Sequence, residues 1–143
     1  GMLHPEAGHI LMIPRKDDHY EGFCFYHKNC FEGMAAGPAI ERRWGKKGVE
    51  LADNKEVWDL EAYYIAQAIC NYIMVVSPVI LGGGVMHQEQ LFPLIREKVL
   101  EMVAGYIQTE ELADIDHFIV PASLHDDQGI MGCLELARRE LQN

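Results

Sequence analysis

The sequence predicts a single α/β domain, spanning residues 1–143, with more helix than strand. Short apolar runs of three or four residues, bounded by glycine or proline, are typical of buried strands. Longer stretches carry apolar residues three or four positions apart, which is typical of helices packed against a core. A compact group of cysteine and histidine residues near the beginning adds a metal-binding loop to this domain.

Composition is that of an ordinary globular protein, with 49% apolar and 24% charged residues. The net charge of −10 argues against a nucleic-acid partner, because phosphate binding relies on clusters of Lys and Arg. The longest apolar run, residues 72–86, is interrupted by Ser77, Pro78 and three glycines, so it is too broken to cross a membrane. No secretory or lipid-attachment pattern is present, and we expect a cytoplasmic protein without a membrane partner.

The most specific pattern is one histidine, a spacer of fourteen residues and then a Cys-x2-His-x2-Cys motif. The four residues are His9, Cys24, His27 and Cys30. Two thiolates and two imidazoles form the ligand set of a tetrahedral structural zinc ion, which would close the loop over residues 14–23. A disulfide framework is the weaker alternative, because Cys70 and Cys133 lie in apolar helical contexts and no secretory segment precedes them.

The first elements surround this motif. Residues 10–13, ILMI, are predicted to form a buried strand that ends at Pro14, and residues 15–22 form the solvent side of the metal loop. A helical pattern begins at Phe31 and breaks at residues 37–38. A second helix follows over residues 39–44, with Pro38 in its first turn and Gly45 closing it.

A long helix is predicted from a capping box, Asp53-x-x-Glu56, to about Val76. Its apolar residues recur every three or four positions and form one stripe, which we interpret as core packing. These residues are Trp58, Ala62, Ile65, Ile69 and Ile73.

A short strand over residues 79–81 is predicted to run into Gly82, Gly83 and Gly84 and then into another amphipathic helix. The apolar face of that helix comprises Leu91, Leu94, Ile95, Val99, Met102, Val103 and Tyr106. A strand, a glycine turn and a helix can admit a nucleotide close to the backbone. A tight turn that needs positive φ angles explains the glycines equally well.

The last part of the chain predicts a strand over residues 117–120, a polar loop over residues 123–129 and a final helix. The final helix carries apolar residues at helical spacing, followed by basic residues that suit the negative end of the helix dipole. The apolar residues are Ile130, Leu134, Ala137 and Leu141.

Four segments together resemble the C-terminal half of a ROK-family sugar kinase, closest to the zinc-containing bacterial fructokinases. They are HPEAGH (residues 4–9), CFYHKNCFEG (24–33), AAGPAIERRWG (35–45) and SPVILGGGV (77–85). The resemblance covers essentially the whole chain in the same order. It implies the C-terminal lobe of an actin-like ATPase fold, related to ribonuclease H. It also implies an ATP-dependent hexose kinase that acts on fructose with Mg-ATP and forms a homodimer.

The resemblance also implies roles for individual residues. Glu6 and Glu32 would accept hydrogen bonds from sugar hydroxyls, as ionised carboxylates do strongly. His9 would bind the zinc ion and also face the sugar. Residues 82–84, the glycine turn, would bind the adenosine of ATP.

Two family motifs have no counterpart in these 143 residues. The phosphate-binding Asp-x-Gly-Gly-Thr strand and the Asn-Asp pair, whose Asp is the catalytic base, belong to the N-terminal lobe of the family. We therefore expect no catalytic residue in this chain and no activity of the chain alone. Residues 124–129 also depart from the small-residue loop that the family has there.

The beginning, residues 1–4, resembles sequence that continues upstream in full-length relatives, so we expect a fragment; Gly1 can instead be a cloning remnant before Met2. Two other interpretations stay open at this point. One is a stand-alone, zinc-stabilised sugar-binding module of the kind that the family's repressors use for sensing. The other is a decayed gene product that folds without activity.

Overall fold

The structure, a computed structural model, describes residues 6–75, 78–124 and 126–142. Its helices are α1 (Phe31–Ala35), α2 (Gly37–Trp44), α3 (Lys55–Tyr72), α4 (Leu91–Val103), α5 (Glu110–Ala113), α6 (Ile115–Phe118) and α7 (Gln128–Glu140). Its strands are β1 (Val79–Leu81) and β2 (Ile119–Pro121). Single 3-10 turns cover Ala7–His9, Gly48–Leu51 and Gly84–His87. None of the described helices is long and apolar enough to span a membrane.

The two strands form a parallel sheet in which Val79, Ile80 and Leu81 pair with Ile119, Val120 and Pro121. A parallel pair needs a crossover, and α4, α5 and α6 supply it. The first strand was predicted correctly, but the strand prediction at residues 117–118 was wrong, because these residues belong to α6. The carbonyl of Asp114 accepts from the amides of His117 and Phe118, which keeps the chain helical up to Ile119.

The main core lies between α3 and α4, and the predicted stripe of α3 is confirmed. Trp58, Ala62, Ile65 and Ile69 are buried, and Ile73 is partly buried against them. On α4 the facing residues Leu91, Ile95, Val99 and Val103 are buried. Tyr106 does not share this face as predicted. The helix ends at Val103, where Ala104 takes a left-handed conformation with φ of 50°.

The helix ends differ from prediction by one to four residues. Asn54, not Asp53, caps α3, because its side chain accepts from the amide of Glu56 at 3.1 Å. The helix ends at Tyr72, before the predicted Val76, which lies outside the described residues. The predictions for α2 are confirmed, with Pro38 in the first turn and Gly45 in the left-handed conformation after the last.

Residues 10–13 do not form the predicted strand. Only one bridge is present, from Leu11 to Cys30, and only Met12 is buried, in a second core with Met34 and Tyr64. The backbone of Ile13 instead bonds to the side chain of Gln67, which donates to its carbonyl at 3.0 Å and accepts from its amide at 2.6 Å. The side-chain amide therefore replaces a neighbouring strand.

A buried charged group lies between α2 and α3, and part of it falls in the loop predicted to face solvent. Nη2 of Arg43 lies 3.2 Å from Oδ2 of Asp18, which also accepts from the hydroxyl of Tyr64 at 2.6 Å. The guanidinium stands 4.5 Å from the ring centre of Tyr20. Glu61 is fully buried nearby. Burial raises the pKa of its carboxyl well above the usual value, although the positive charge of Arg43 acts to lower this pKa.

Candidate metal centre

The backbone brings His9 to Cys30 by pairing the start of the chain with the segment before α1. The amide of Met12 donates to the carbonyl of Asn29 at 3.0 Å, and the amide of Phe31 donates to the carbonyl of Ile10 at 2.8 Å. His9 ends a 3-10 turn, so its side chain emerges directly beside this pairing. Two distant parts of the sequence therefore meet at one point.

The segment from Cys24 to Cys30 folds back as a tight turn. The amide of Lys28 donates to the carbonyl of Cys24 at 3.0 Å, and Lys28 itself has a positive φ of 52°. Gly33, in α1, packs directly against this turn, since a Cβ there would stand 1.8 Å from the carbonyl oxygen of Lys28. Sequence reasoning did not single out Gly33, although it is part of the motif that carries the resemblance.

The four residues predicted to bind zinc lie together. Their ligand atoms are all within 4.8 Å of one another. Nδ1 of His9 lies 3.8 Å from Sγ of Cys24 and 3.6 Å from Sγ of Cys30. A tetrahedral zinc with bonds of about 2.3 Å to sulfur and 2.05 Å to nitrogen separates such atoms by about 3.6 Å. The donor set and spacing therefore fit a closed zinc site.

The surroundings of the two thiols differ. Both cysteines are buried, while His27 is exposed. Hydrogen bonding from the backbone of His27 lowers the pKa of Cys24, whereas burial raises the pKa of Cys30. All four cysteines of the chain are free thiols, so the disulfide alternative is not the arrangement that the structure adopts.

A carboxylate lies beside the cluster. His9 turns Nδ1 toward the sulfurs and Nε2 outward, where it lies 3.7 Å from Oε2 of Glu32. The same oxygen lies 3.7 Å from the place where a Cβ of Gly8 would stand. Glu32 therefore lies against the turn that runs from Glu6 to His9. Glu6 is exposed on this turn, and residues 4–5 of the same motif lie outside the described residues.

The glycine turn lies elsewhere, at the carboxyl ends of the two parallel strands, where α/β proteins commonly bind ligands. A cleft of about 630 Å³ opens there, with Gly82, Gly83 and Met86 in its lining. Gly83 has a φ of 94°, and a Cβ on Gly82 would stand 3.2 Å from Cβ of Ala122. A 3-10 turn lies between the glycine turn and α4, which begins at Leu91, the first residue of the predicted helical face.

One side of this cleft is held by polar contacts. Nε and Nη2 of Arg96 donate to the carbonyl of Ile119, which ties α4 to β2. His87 lies 3.0 Å from Asp126. Asp126 belongs to the segment that departs from the family pattern; residue 125 lies outside the described residues. Helix α7 begins within this segment, at Gln128, so the polar loop predicted over residues 123–129 is two residues shorter in the structure.

Comparison with known proteins relates the chain to sugar kinases. The model of the ROK family matches residues 1–140. The chain is 50% identical to a "Putative fructokinase" of Bacillus subtilis (strain 168), over 99% of this chain and 48% of that protein. It is 43% identical to a "Fructokinase" of Pediococcus pentosaceus, over 100% of this chain and 49% of that protein. The chain therefore spans about half the length of the curated relatives it matches.

A solved structure agrees at the level of the fold. A "putative sugar kinase" from Cytophaga hutchinsonii superposes with a TM-score of 0.63 and 16% identity, over 85% of this chain and 48% of that one. The fold is thus a fragment of a sugar-kinase fold that carries a cluster of cysteine and histidine. With the match of the family model and the identity to named fructokinases, these comparisons show that the chain belongs to the ROK family.

Proposed function

We propose that this chain is the sugar- and zinc-binding lobe of an ATP-dependent fructokinase. In this proposal it corresponds to the C-terminal lobe of an actin-like fold related to ribonuclease H, and residues 1–143 form one domain. One observation carries the proposal: the carboxylate of Glu32 lies against the turn from Glu6 to His9, 3.7 Å from Nε2 of His9, which belongs to a ligand set that fits zinc. Carboxylate oxygens are good acceptors for sugar hydroxyls.

The metal has a structural role in this proposal. His9, Cys24, His27 and Cys30 would hold zinc with four protein ligands and leave no position for water. When bound, zinc would fix the relative positions of these four ligands. Cys30 comes directly before α1, which carries Glu32, and His9 lies within one turn of Glu6. Both carboxylates would therefore be oriented for a sugar before it arrives.

The nucleotide would lie in the cleft beside the glycine turn. The glycine turn of residues 82–84 lets the backbone approach adenosine closely, and the cleft of about 630 Å³ has room for it. The names of the relatives support fructose and ATP as substrates and a kinase rather than a sensing module. A homodimer remains a prediction from the family resemblance.

Phosphoryl transfer needs Mg²⁺-bound phosphates in line with an activated hydroxyl. The motifs that would hold the phosphates and supply the base are absent from these 143 residues. We therefore expect the purified chain to form no fructose 6-phosphate from fructose and Mg-ATP above a boiled control. Measurable phosphorylation by the chain alone would contradict the proposal that a second lobe carries the base.

Sugar binding can be tested separately by calorimetric titration of the zinc-loaded chain with fructose, mannose and glucose. We expect Glu32→Gln to weaken hexose binding about 10- to 100-fold, because it removes a charge-assisted hydrogen bond. Glu41→Gln, on the exposed side of α2, is the control and should bind as the native chain does. Equal affinities of the two variants, or no heat with any sugar, would exclude this site; the latter would support a decayed gene product.

A further inference from the structure

The loop over residues 14–23, the metal loop, joins His9 to the other three candidate ligands. A loop of this length must be ordered before the ligands on its two sides can meet. Its middle is held from inside the protein by the ion pair of Asp18 with Arg43, whose side chains are only 5% and 7% exposed. A charged segment of the metal loop is therefore fixed by a contact that does not involve a metal.

Arg43 contacts the metal loop and α1 at the same time. Its Nη2 lies 3.2 Å from Oδ2 of Asp18, and its Nη1 donates to the carbonyl of Met34 at 2.9 Å. Met34 belongs to α1, the helix that begins directly after Cys30 and carries Glu32. One guanidinium therefore ties the middle of the loop to the helix that follows the last candidate ligand. We call this double contact the Arg43 anchor.

Hydrogen bonds set the conformation of the metal loop around this point. The carboxylate of Asp18 accepts from the hydroxyl of Tyr64 at 2.6 Å and from the amide of Tyr20 at 3.1 Å. At the end of the loop, the amide of Phe23 donates to the carbonyl of Gly33 at 3.2 Å. The loop is thus bonded to α3 through Tyr64 and to α1 through Gly33.

We infer that Arg43 is a positioning residue for the metal centre, because it orders the metal loop before a metal binds. This inference rests on the proposed function only in taking zinc as the metal. With the anchor present, zinc meets ligands that are already close together. Without the anchor, part of the free energy of zinc binding is used to order the loop, so zinc binds more weakly.

An ion pair that only stabilises the fold is the alternative explanation, since removal of one partner of a buried pair destabilises a whole protein. The two explanations differ in what they predict for zinc. A lower global stability leaves the zinc affinity of the folded chain unchanged as long as nearly all molecules are folded. Loss of the anchor lowers that affinity even in a fully folded chain.

The first test compares zinc affinities by competition with a chromophoric chelator. In Arg43→Lys the charge is kept, but a single nitrogen cannot serve both Asp18 and the carbonyl of Met34. We expect zinc to bind at least about tenfold more weakly, as is typical when residues that orient metal ligands are changed. Native affinity of this variant would overturn the inference.

Arg96→Lys is the matched control. Arg96 also joins a carboxylate, that of Asp116, to a backbone carbonyl, that of Ile119, and its side chain is 19% exposed. It lies on α4, outside the metal loop and α1. The control should lose stability and keep native zinc affinity. An equal loss of zinc affinity in both variants would overturn the inference.

The second test is hydrogen exchange of the chain after removal of zinc. The amides of Asp18, Tyr20 and Phe23 are hydrogen bonded in the structure and should be protected in the metal-free native chain. In metal-free Arg43→Lys they should exchange at least about tenfold faster, and added zinc should restore their protection. Protection of the native loop only with zinc present would overturn the inference, because the metal alone would then order the loop.

Asp18→Asn repeats both tests if Arg43→Lys does not fold. It keeps the size of the side chain and an oxygen for the hydroxyl of Tyr64, but it removes the charge opposite the guanidinium. The same losses are expected, and failure of both variants to fold with zinc present would overturn the inference. A native chain that binds no zinc would instead contradict the proposed function, and exchange of the metal-free chains would still show whether Arg43 orders the loop.

Discussion

The tight turn at Cys24 is shaped by two glycines that are not among the candidate metal ligands. Gly22 and Gly33 both face the carbonyl of Lys28, and a Cβ at either would stand about 2 Å from its oxygen. The spacing of the ligands specifies which residues can meet, but these glycines decide whether the turn closes. The metal centre therefore depends on backbone contacts as well as on donor chemistry.

We predict that Gly33→Ala lowers zinc affinity by at least about tenfold, because the added methyl group must displace the turn that presents Cys24. Gly37→Ala is the control, since a Cβ there meets nothing within 4 Å. Competition with a chromophoric chelator measures the affinity of each variant. Equal affinity of both variants would show that the turn adapts without cost to the site.

The buried carboxyl of Glu61 predicts a pH dependence of stability. Its pKa is raised in the native state, so above pH 4.5, the usual value, the native protein retains a proton that the unfolded chain loses. Stability should fall as pH rises toward the native pKa, by at most about 1.4 kcal/mol per pH unit. Glu61→Gln is neutral in both states and should gain stability relative to the native chain between about pH 5 and 7.

Urea unfolding at several pH values measures this difference. Glu56→Gln, at an exposed position of the same helix, should leave the pH dependence unchanged. Stability curves of the native chain and Glu61→Gln that run parallel from pH 5 to 7 would show that Glu61 is ionised in the folded protein.

At the scale of single residues, the sequence predicts donors better than it predicts burial. The four ligand residues are recognisable because their chemical types and spacing are specific to a metal. The burial of the Asp18 and Arg43 side chains cannot be recognised in the same way. It arises from a loop that folds over α2 and from the aromatic rings of Tyr20 and Tyr64. A charged loop normally faces solvent, and only the tertiary contact reverses this.

At the scale of elements, stability resides mainly in the pair α3 and α4. We predict that Ile95→Ala lowers the free energy of unfolding by about 2–5 kcal/mol, because Ile95 is fully buried and its loss leaves a cavity. Leu100→Ala, on the same helix but 44% exposed, should cost well under half of that. Urea unfolding measures both free-energy losses, and the slope of the free energy against urea concentration should be unchanged. Similar losses would show that the two positions are packed alike.

The long helices could be predicted because a period of three or four residues is repeated over several turns. Two of the short elements could not. Residues 10–13 and 117–120 are both apolar, yet the first is an extended segment bonded to Gln67 and the second is divided between α6 and β2. A run of four apolar residues fits a strand or a buried helical turn equally, and distant partners decide between them.

At the scale of the whole molecule, the cysteine–histidine cluster and the glycine turn lie at separate places. The cysteine–histidine cluster and Glu32 lie at one place, next to α1, and the glycine turn lies at the ends of β1 and β2. In the proposed kinase these would bind sugar and nucleotide, and a second lobe would complete the reaction.

The metal content of the purified chain tests the account most directly, because the proposed sugar site depends on zinc in the cluster beside Glu32. Native mass spectrometry should find one zinc ion per chain, and also one in the control Cys70→Ser/Cys133→Ser, whose thiols lie outside the cluster. It should find none in Cys24→Ser/Cys30→Ser. A native chain without zinc, or zinc retained after loss of Cys24 and Cys30, would contradict the account.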